Sequence, residues 1–197
     1  MREKAELRKI FKQRRSSLTQ AQVALKSEKI SLNFINHLLP EICSKHNGKI
    51  FSIYIPIVNE VDTSTIIQYF KDHNISFCYP KIFAKDQPLR FINSENNQQE
   101  KFSYNPFYPH LLEPDATNEV IPDILITPLV AFDDKLNRLG MGGGFFDRTI
   151  QHIKKSSEII TIGLAYDLQR HGSSLALEIT DQTLDFIVTE SNISVPS

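Results

Sequence analysis

Residues Arg138 to Arg148, RLGMGGGFFDR, place four of the chain's seven glycines within five positions and end on Phe145, Phe146, Asp147 and Arg148. Glycine loses more conformational entropy on folding than any other residue, so such a cluster marks a left-handed turn or a close approach of backbone to something bulky. The apolar run DILITPLVAF before it reads as a strand, and FFDRTIQHIKK after it starts a helix. Open α/β sheets bind ligands beyond the carboxyl ends of strands, and a helix N-terminus offers unpaired N–H groups and the positive end of a dipole. A phosphate cradle is the chemistry this placement favours, with a plain glycine turn as the alternative. Neither familiar signature is present: no Lys-Ser/Thr pair follows Gly144, and Phe145 stands where GxGxxG needs its third glycine.

A second set of chemically capable residues lies at the start. Among the first fifteen residues seven are bases and two are acids, so this segment carries +5 in a chain of net charge −1. Leu7, Ile10, Phe11 and Arg14 recur at i, i+3, i+4 and i+7, which predicts an amphipathic helix packing that stripe inward with its bases on the flanks. Lys4 and Arg8 fall one turn apart and can address one polyphosphate from a shared face. A merely solvated charged face is the bland reading.

The elements that must position these groups follow from the rest of the pattern. Thr19 is a plausible cap for a second helix that turns Val23, Ile30, Phe34, Ile35 and Leu38 inward and ends at Pro40. KIFSIYIPI predicts a buried strand ending at Pro56, Asp62 or Thr63 caps a third helix, and ISFCYP, LRFIN, IITIGLAY and LDFIVT supply further strands. Residues 94–117, with Pro106, Pro109 and Pro114, read as an excursion and a candidate lid. Strands apolar on both faces, alternating with helices, predict an α/β, Rossmann-like three-layer sandwich with a largely parallel sheet and helices on both faces.

The 197 residues, 41% apolar and 23% charged, suit one core, and residues 1–197 are read as a single domain. No run approaches the roughly 20 apolar residues that span a bilayer. Cys43 and Cys78 form no CxxC pair and read as buried thiols in a reducing, cytoplasmic setting. The six histidines form no ligand pair and read as structural or surface residues.

ILITPLVAFDDKLNRLGMGGGFFDR resembles the C-terminal signature of the 5-formyltetrahydrofolate cyclo-ligase family, also called 5,10-methenyltetrahydrofolate synthetases: strand, Pro, FD, turn, RLG, glycine loop, two aromatics and Asp. KAELRK resembles the family's KxxLR helix, IPIVNEVDTSTII its strand-to-helix segment with a substrate Glu, LLEP its mid-chain turn, and TDQTLDFIVTE its closing segment. The resemblance implies a ligase that uses ATP and Mg²⁺ to convert 5-formyltetrahydrofolate to 5,10-methenyltetrahydrofolate, acting as a monomer on small molecules, with neither nucleic acid nor membrane as partner. It implies that ATP is bound by Lys4, Arg8, Arg138, Leu139, Gly140, Met141, Gly142, Gly143, Gly144, Phe145 and Phe146. Folate contacts are implied for Ile55 and Glu60, together with Met141, Gly142, Gly143, Gly144 and Phe145. Arg138 and Asp147 take the catalytic roles, and Asp147 and Asp181 the metal.

Each of these has a bland counterpart: Asp147 as a helix-start residue, Asp181 as a turn cap, Arg138 paired with Asp133 or Asp134, Glu60 facing water. The chain departs from the commoner pattern at Met141, at Gly143 where some members carry Lys, and at Phe145-Phe146 in place of Tyr-Tyr. A different α/β enzyme or regulator, binding a sugar phosphate or CoA thioester, is the alternative and predicts that the N-terminal bases are dispensable. An RNA-binding reading of the +5 helix lacks both a basic overall balance and RNP-like aromatic motifs.

Overall fold

The structure, a computed structural model, describes residues 2–45, 49–94 and 100–196. Helix α1 (Arg2–Ser16) is followed by α2 (Gln20–Asn33), whose start is fixed by a capping box: Thr19 and Gln22 satisfy each other's backbone N–H groups. The helix does not stop at Pro40. A π turn, Phe34–Leu38, continues α2 without a break in helical backbone and shifts the hydrogen-bond register, and α3 (Leu39–Lys45) follows directly, so Pro40 is carried within a continuous helix at the point where the π turn has already altered the ladder.

Strand β1 (Phe51–Ser52) is shorter than the apolar run predicts. Beyond it Ile53 still donates to the Cys78 carbonyl, but the Tyr54 carbonyl is taken by the Thr63 hydroxyl, and the chain leaves the ladder. Asp62, accepting from the Ser64 amide at 2.9 Å, caps α4 (Ser64–Asp72). Then come β2 (Phe77–Lys81), β3 (Arg90–Asn93), the hairpin of β4 (Phe102–Tyr104) and β5 (Leu112–Pro114), β6 (Glu119–Val120) and β7 (Ile124–Pro128). A second hairpin, β8 (Ala131–Phe132) and β9 (Arg138–Leu139), precedes the glycine loop, so Arg138 belongs to a strand. Helix α5 (Phe145–Ile153), β10 (Ile160–Leu164), β11 (Phe186–Val188) and β12 (Ile193–Ser194) complete the order.

The main sheet runs β12-β11-β10-β7-β1-β2-β3-β6. Its centre, β11 to β2, is parallel, and β12, β3 and β6 are antiparallel additions at the edges. The α/β layered architecture is as expected, with a mixed, mostly parallel sheet. Alternation along each strand divides the core: Ile124 and Ile126 of β7 pack with Phe34, Ile66 and Phe70 from the α2 to α4 side, while Leu125 packs with Ile150 and Ile153 of α5 on the other. Chain order reverses at β1, which has β2 on one side and β7 on the other, and such a switch point opens a crevice at the carboxyl ends of the strands.

Helix α1 corrects one expectation. Phe11 is buried against Val130, Ala131, Leu139 and Leu175 with Leu7 partly buried on the same cluster, but Ile10 and Arg14 are exposed, and the inward face also carries Lys4 and Arg15, both buried. The helix turns part of its cationic face towards the protein.

Candidate functional site

A pocket of about 590 Å³ opens where β1, β2 and β7 end, lined there by Ile55, Pro80 and Pro128. All fifteen residues singled out from the sequence line it: Lys4, Arg8, Ile55, Glu60, the run Arg138 to Asp147, and Asp181. Their partners determine what each can do.

Arg138 is 7% exposed, and its Nη1 donates to Asp147 Oδ1 at 2.8 Å and to the Gln182 carbonyl at 3.3 Å. Burial pulls its pKa down, and Asp147 and Asp181 oppose that shift, so the two carboxylates are what keep a buried guanidinium favourable. Asp147 Oδ1 also accepts the Gln182 amide at 3.1 Å, joining α5 to the closing segment. The surface pairing of Arg138 with Asp133 or Asp134 is not what the structure shows. Asp133, 1% exposed, builds the β8–β9 turn by accepting the amides of Lys135, Asn137 and Leu175, and Asp134 pairs with Arg170.

Lys4 bonds Asp181 and lies 3.6 Å from Glu178. Asp181 also accepts the Glu178 amide at 2.6 Å, so it is both a turn residue and the counter-charge of a buried lysine. Arg8 Nε donates to the Gly140 carbonyl at 2.9 Å, fastening α1 to the glycine loop.

The loop itself needs its glycines at two points. Gly142 has φ +109° and Gly144 has φ +64°, left-handed values that side-chain-bearing residues rarely adopt, and Gly144 is the N-cap of α5 with no side chain to occupy the first-turn amides. Arg148 closes the loop from behind: its Nη2 donates to the Gly143 carbonyl at 2.7 Å and its guanidinium lies 5.1 Å from the Phe145 ring centroid. Met141 is half-exposed at the rim.

Glu60 lines the pocket and is 6% exposed, not solvated. Its Oε2 accepts the Ile57 amide at 3.1 Å and its Oε1 lies 3.5 Å from Arg15 Nη1. Burial raises its pKa, and Arg15 and the Ile57 amide pull it back down. Tyr166 donates to the Glu60 carbonyl at 2.9 Å, holding that loop to the core.

Sequence reasoning missed Arg15, Tyr108, His110, Glu113 and Arg148. Arg15 reads as one more base on a charged helix, Glu113 as part of the LLEP turn, and His110 as a surface histidine, yet Glu113 is buried and His110 lines the pocket. Of the candidate lid, residues 95–99 lie outside the described residues; from Glu100 onwards the excursion contains the β4–β5 hairpin. Cys78 is buried, whereas Cys43 is only half-buried. Among the described residues no three His, Cys, Asp or Glu side chains converge to hold a metal unaided, and no helix is long and apolar enough to cross a membrane.

Comparison with known proteins identifies the family and the fold. The profile of the 5-formyltetrahydrofolate cyclo-ligase family matches residues 1–190. A 5-formyltetrahydrofolate cyclo-ligase of Haemophilus influenzae is 33% identical over 176 residues, 85% of each chain, and one of Mycoplasma pneumoniae is 30% identical over 189 residues, 95% of this chain and 99% of its own. Among solved structures, a 5,10-methenyltetrahydrofolate synthetase of Mycoplasma pneumoniae superposes with a TM-score of 0.73 at 28% identity, covering 95% of this chain and 98% of its own. The corresponding enzyme of Aquifex aeolicus gives 0.79 at 27% identity, covering 98% and 92%.

Proposed function

The chain belongs to the 5-formyltetrahydrofolate cyclo-ligase family, and its activity is that of such a ligase; we propose that the pocket beyond β1, β2 and β7 is where ATP and the folate meet. The observation that carries this assignment is the buried Arg138, which emerges beside the glycine loop and faces Asp147 while α1 brings Lys4 and Arg8 to the same wall.

The chemistry asks for such a wall. The N5-formyl carbonyl is a poor electrophile because its oxygen is a poor leaving group. Transfer of the γ-phosphoryl group to that oxygen releases ADP and gives an N5-iminium phosphate. N10 then attacks the same carbon, its proton is released, and phosphate departs as the ring closes. Phosphoryl transfer of this kind depends on positioning and charge neutralisation more than on covalent help. The amides of the glycine loop and of the start of α5 take phosphate oxygens, and Lys4, Arg8 and Arg138 neutralise charge. Until the nucleotide arrives, Asp181, the Gly140 carbonyl and Asp147 hold those three cations in place. Glu60 accepts N–H groups of the folate, and Ile55 and Phe145 pack against it.

Asp147 and Asp181 suit Mg²⁺, which binds through one or two carboxylates with phosphate oxygens and waters supplying the rest, so a preassembled cage is not required. Both line the pocket on the side of Arg138. Bound there, the ion would offset charge on the phosphate oxygens.

The test is growth of methenyl-folate absorbance from 5-formyltetrahydrofolate with and without ATP. ATP-dependent product formation supports the reading, and product formation that ignores ATP defeats the nucleotide assignment.

A further inference from the structure

The glycine loop is held by its carbonyls and leaves its amides empty. Gly142, Gly143 and Gly144 have no side chains to restrain them, so a single loop conformation has to be imposed by neighbours. Two arginines impose it: Arg8 donates to the Gly140 carbonyl at 2.9 Å, and Arg148 Nη2 to the Gly143 carbonyl at 2.7 Å. Among the described residues, the seven backbone N–H groups from Met141 to Asp147 donate to no acceptor in the protein, more than a helix start alone leaves unpaired.

Arg148 sits against electrostatic preference. It is the fourth residue of α5, close to the end where the helix dipole disfavours a cation. Among the described residues it pairs with no carboxylate, its neighbour Asp147 being engaged by Arg138. Its Nε is buried without a hydrogen-bond partner, its guanidinium lies 5.1 Å from the Phe145 ring centroid, and its Nη1 would stand 2.7 Å from a Cβ built at Gly144. A cation that opposes the dipole and leaves a buried N–H unpaired costs stability, so the fold alone does not account for it.

The geometry of the peptide unit supplies the reason. The Gly143–Gly144 bond is trans, so its C=O and N–H point in opposite directions. Drawing the Gly143 carbonyl onto Arg148 turns the Gly144 N–H to the side away from that guanidinium. Resting on the nucleotide reading above, we propose that Arg148 is a positioning residue: it acts on the phosphates through the loop, fixing the Gly143–Gly144 peptide so that the Gly144 amide joins those of the α5 start in receiving phosphate oxygens. Gly144 is its counterpart. A Cβ there would push the guanidinium off the Gly143 carbonyl, so the missing side chain serves this latch as well as the left-handed φ of +64°.

The test is titration of ATP into the wild-type protein, Arg148→Met, Arg148→Lys, Gly144→Ala and the double variant Gly144→Ala/Arg148→Met. Arg148→Met is expected to weaken ATP binding about tenfold and to raise the KM for ATP in proportion, while kcat at saturating ATP and the melting temperature without nucleotide change little. Arg148→Lys, which keeps a charged donor, should recover part of the loss. Gly144→Ala should weaken ATP by a similar factor, and the double variant no more than either single change, because both break one hydrogen bond. Unchanged ATP affinity in Arg148→Met overturns the positioning role. So does a double variant whose losses add, and so does a loss that follows a fall in melting temperature, which would make Arg148 a brace for the fold alone. A wild-type protein that binds no ATP defeats the nucleotide reading itself, whatever the variants do.

Discussion

At the scale of single residues, the pair Arg138–Asp147 carries the most consequence, because each side chain has two duties. Asp147 offsets a guanidinium that burial disfavours and, in the proposed chemistry, stands beside the metal on the phosphates. Asp147→Asn is nearly the same shape but removes the charge, so kcat should fall on the order of a hundredfold or more, about 3 kcal/mol of transition-state stabilisation. A Mg²⁺ titration of turnover checks this; normal turnover at low Mg²⁺ would make Asp147 only the partner of Arg138. The buried pair Arg15–Glu60 gives a pH prediction. Arg15 opposes the upward push of burial on the Glu60 carboxyl, so Arg15→Met should raise that pKa further, and the acid limb of the kcat/KM profile should move to higher pH, with partial recovery in Arg15→Lys. The stability sign is the reverse of the usual carboxylate case. A folded-state pKa above the unfolded value means stability falls as pH rises from the ordinary range near ~4.3 through the raised value, and melting measured across that window should show a steeper fall in Arg15→Met.

Secondary-structure elements turn these residues into a site. Helix α1 docks Phe11 on the β8–β9 hairpin and delivers Arg8 to the Gly140 carbonyl, whereas Lys12, one turn further on, is outside the pocket lining. Arg8→Ala should weaken nucleotide use by roughly tenfold or more while Lys12→Ala changes little; equal losses, measured as the KM for ATP, would reduce the helix to a general positive field. At Gly142 a side chain would have to adopt φ +109° and its Cβ would come 3.6 Å from the Arg8 guanidinium. Gly142→Val should therefore disorder the loop's grip on α1 and lower ATP affinity at least about tenfold in nucleotide titration, with the fold retained. Much of this was legible: the glycine cluster, its place between strand and helix, the Thr19 cap and the alternation of strands and helices follow directly from local chemistry. What was not legible depends on tertiary context. Helical periodicity cannot distinguish Ile10 from Arg15 as the inward residue when the surface to be covered is itself an anionic pocket wall, and nothing local marks Glu113 as buried, because the Ile82 amide and Asn105 that hold it come from distant segments or adopt their roles only in the hairpin. The β8–β9 hairpin was hidden because β8 is the tail of one apolar run and β9 the start of the glycine-rich stretch, and the polar turn that joins them is folded by Asp133.

At the scale of the whole molecule, the site draws on both ends of the chain and on its middle. The parallel centre of the sheet supplies the crevice, the α1 wall supplies cations, and the segment around Asp181 supplies their counter-charges. Lys4 and its partner Asp181 are 177 positions apart, and Arg8 and Gly140 are separated by 132. On a ribosome adding roughly 5–20 residues per second, the first helix must therefore wait on the order of ten seconds or more before its counter-charges emerge. During that interval Lys4 and Arg8 lack the partners that hold them in the folded protein, so the wall they form is the first part of the site to be synthesised and the last to be completed.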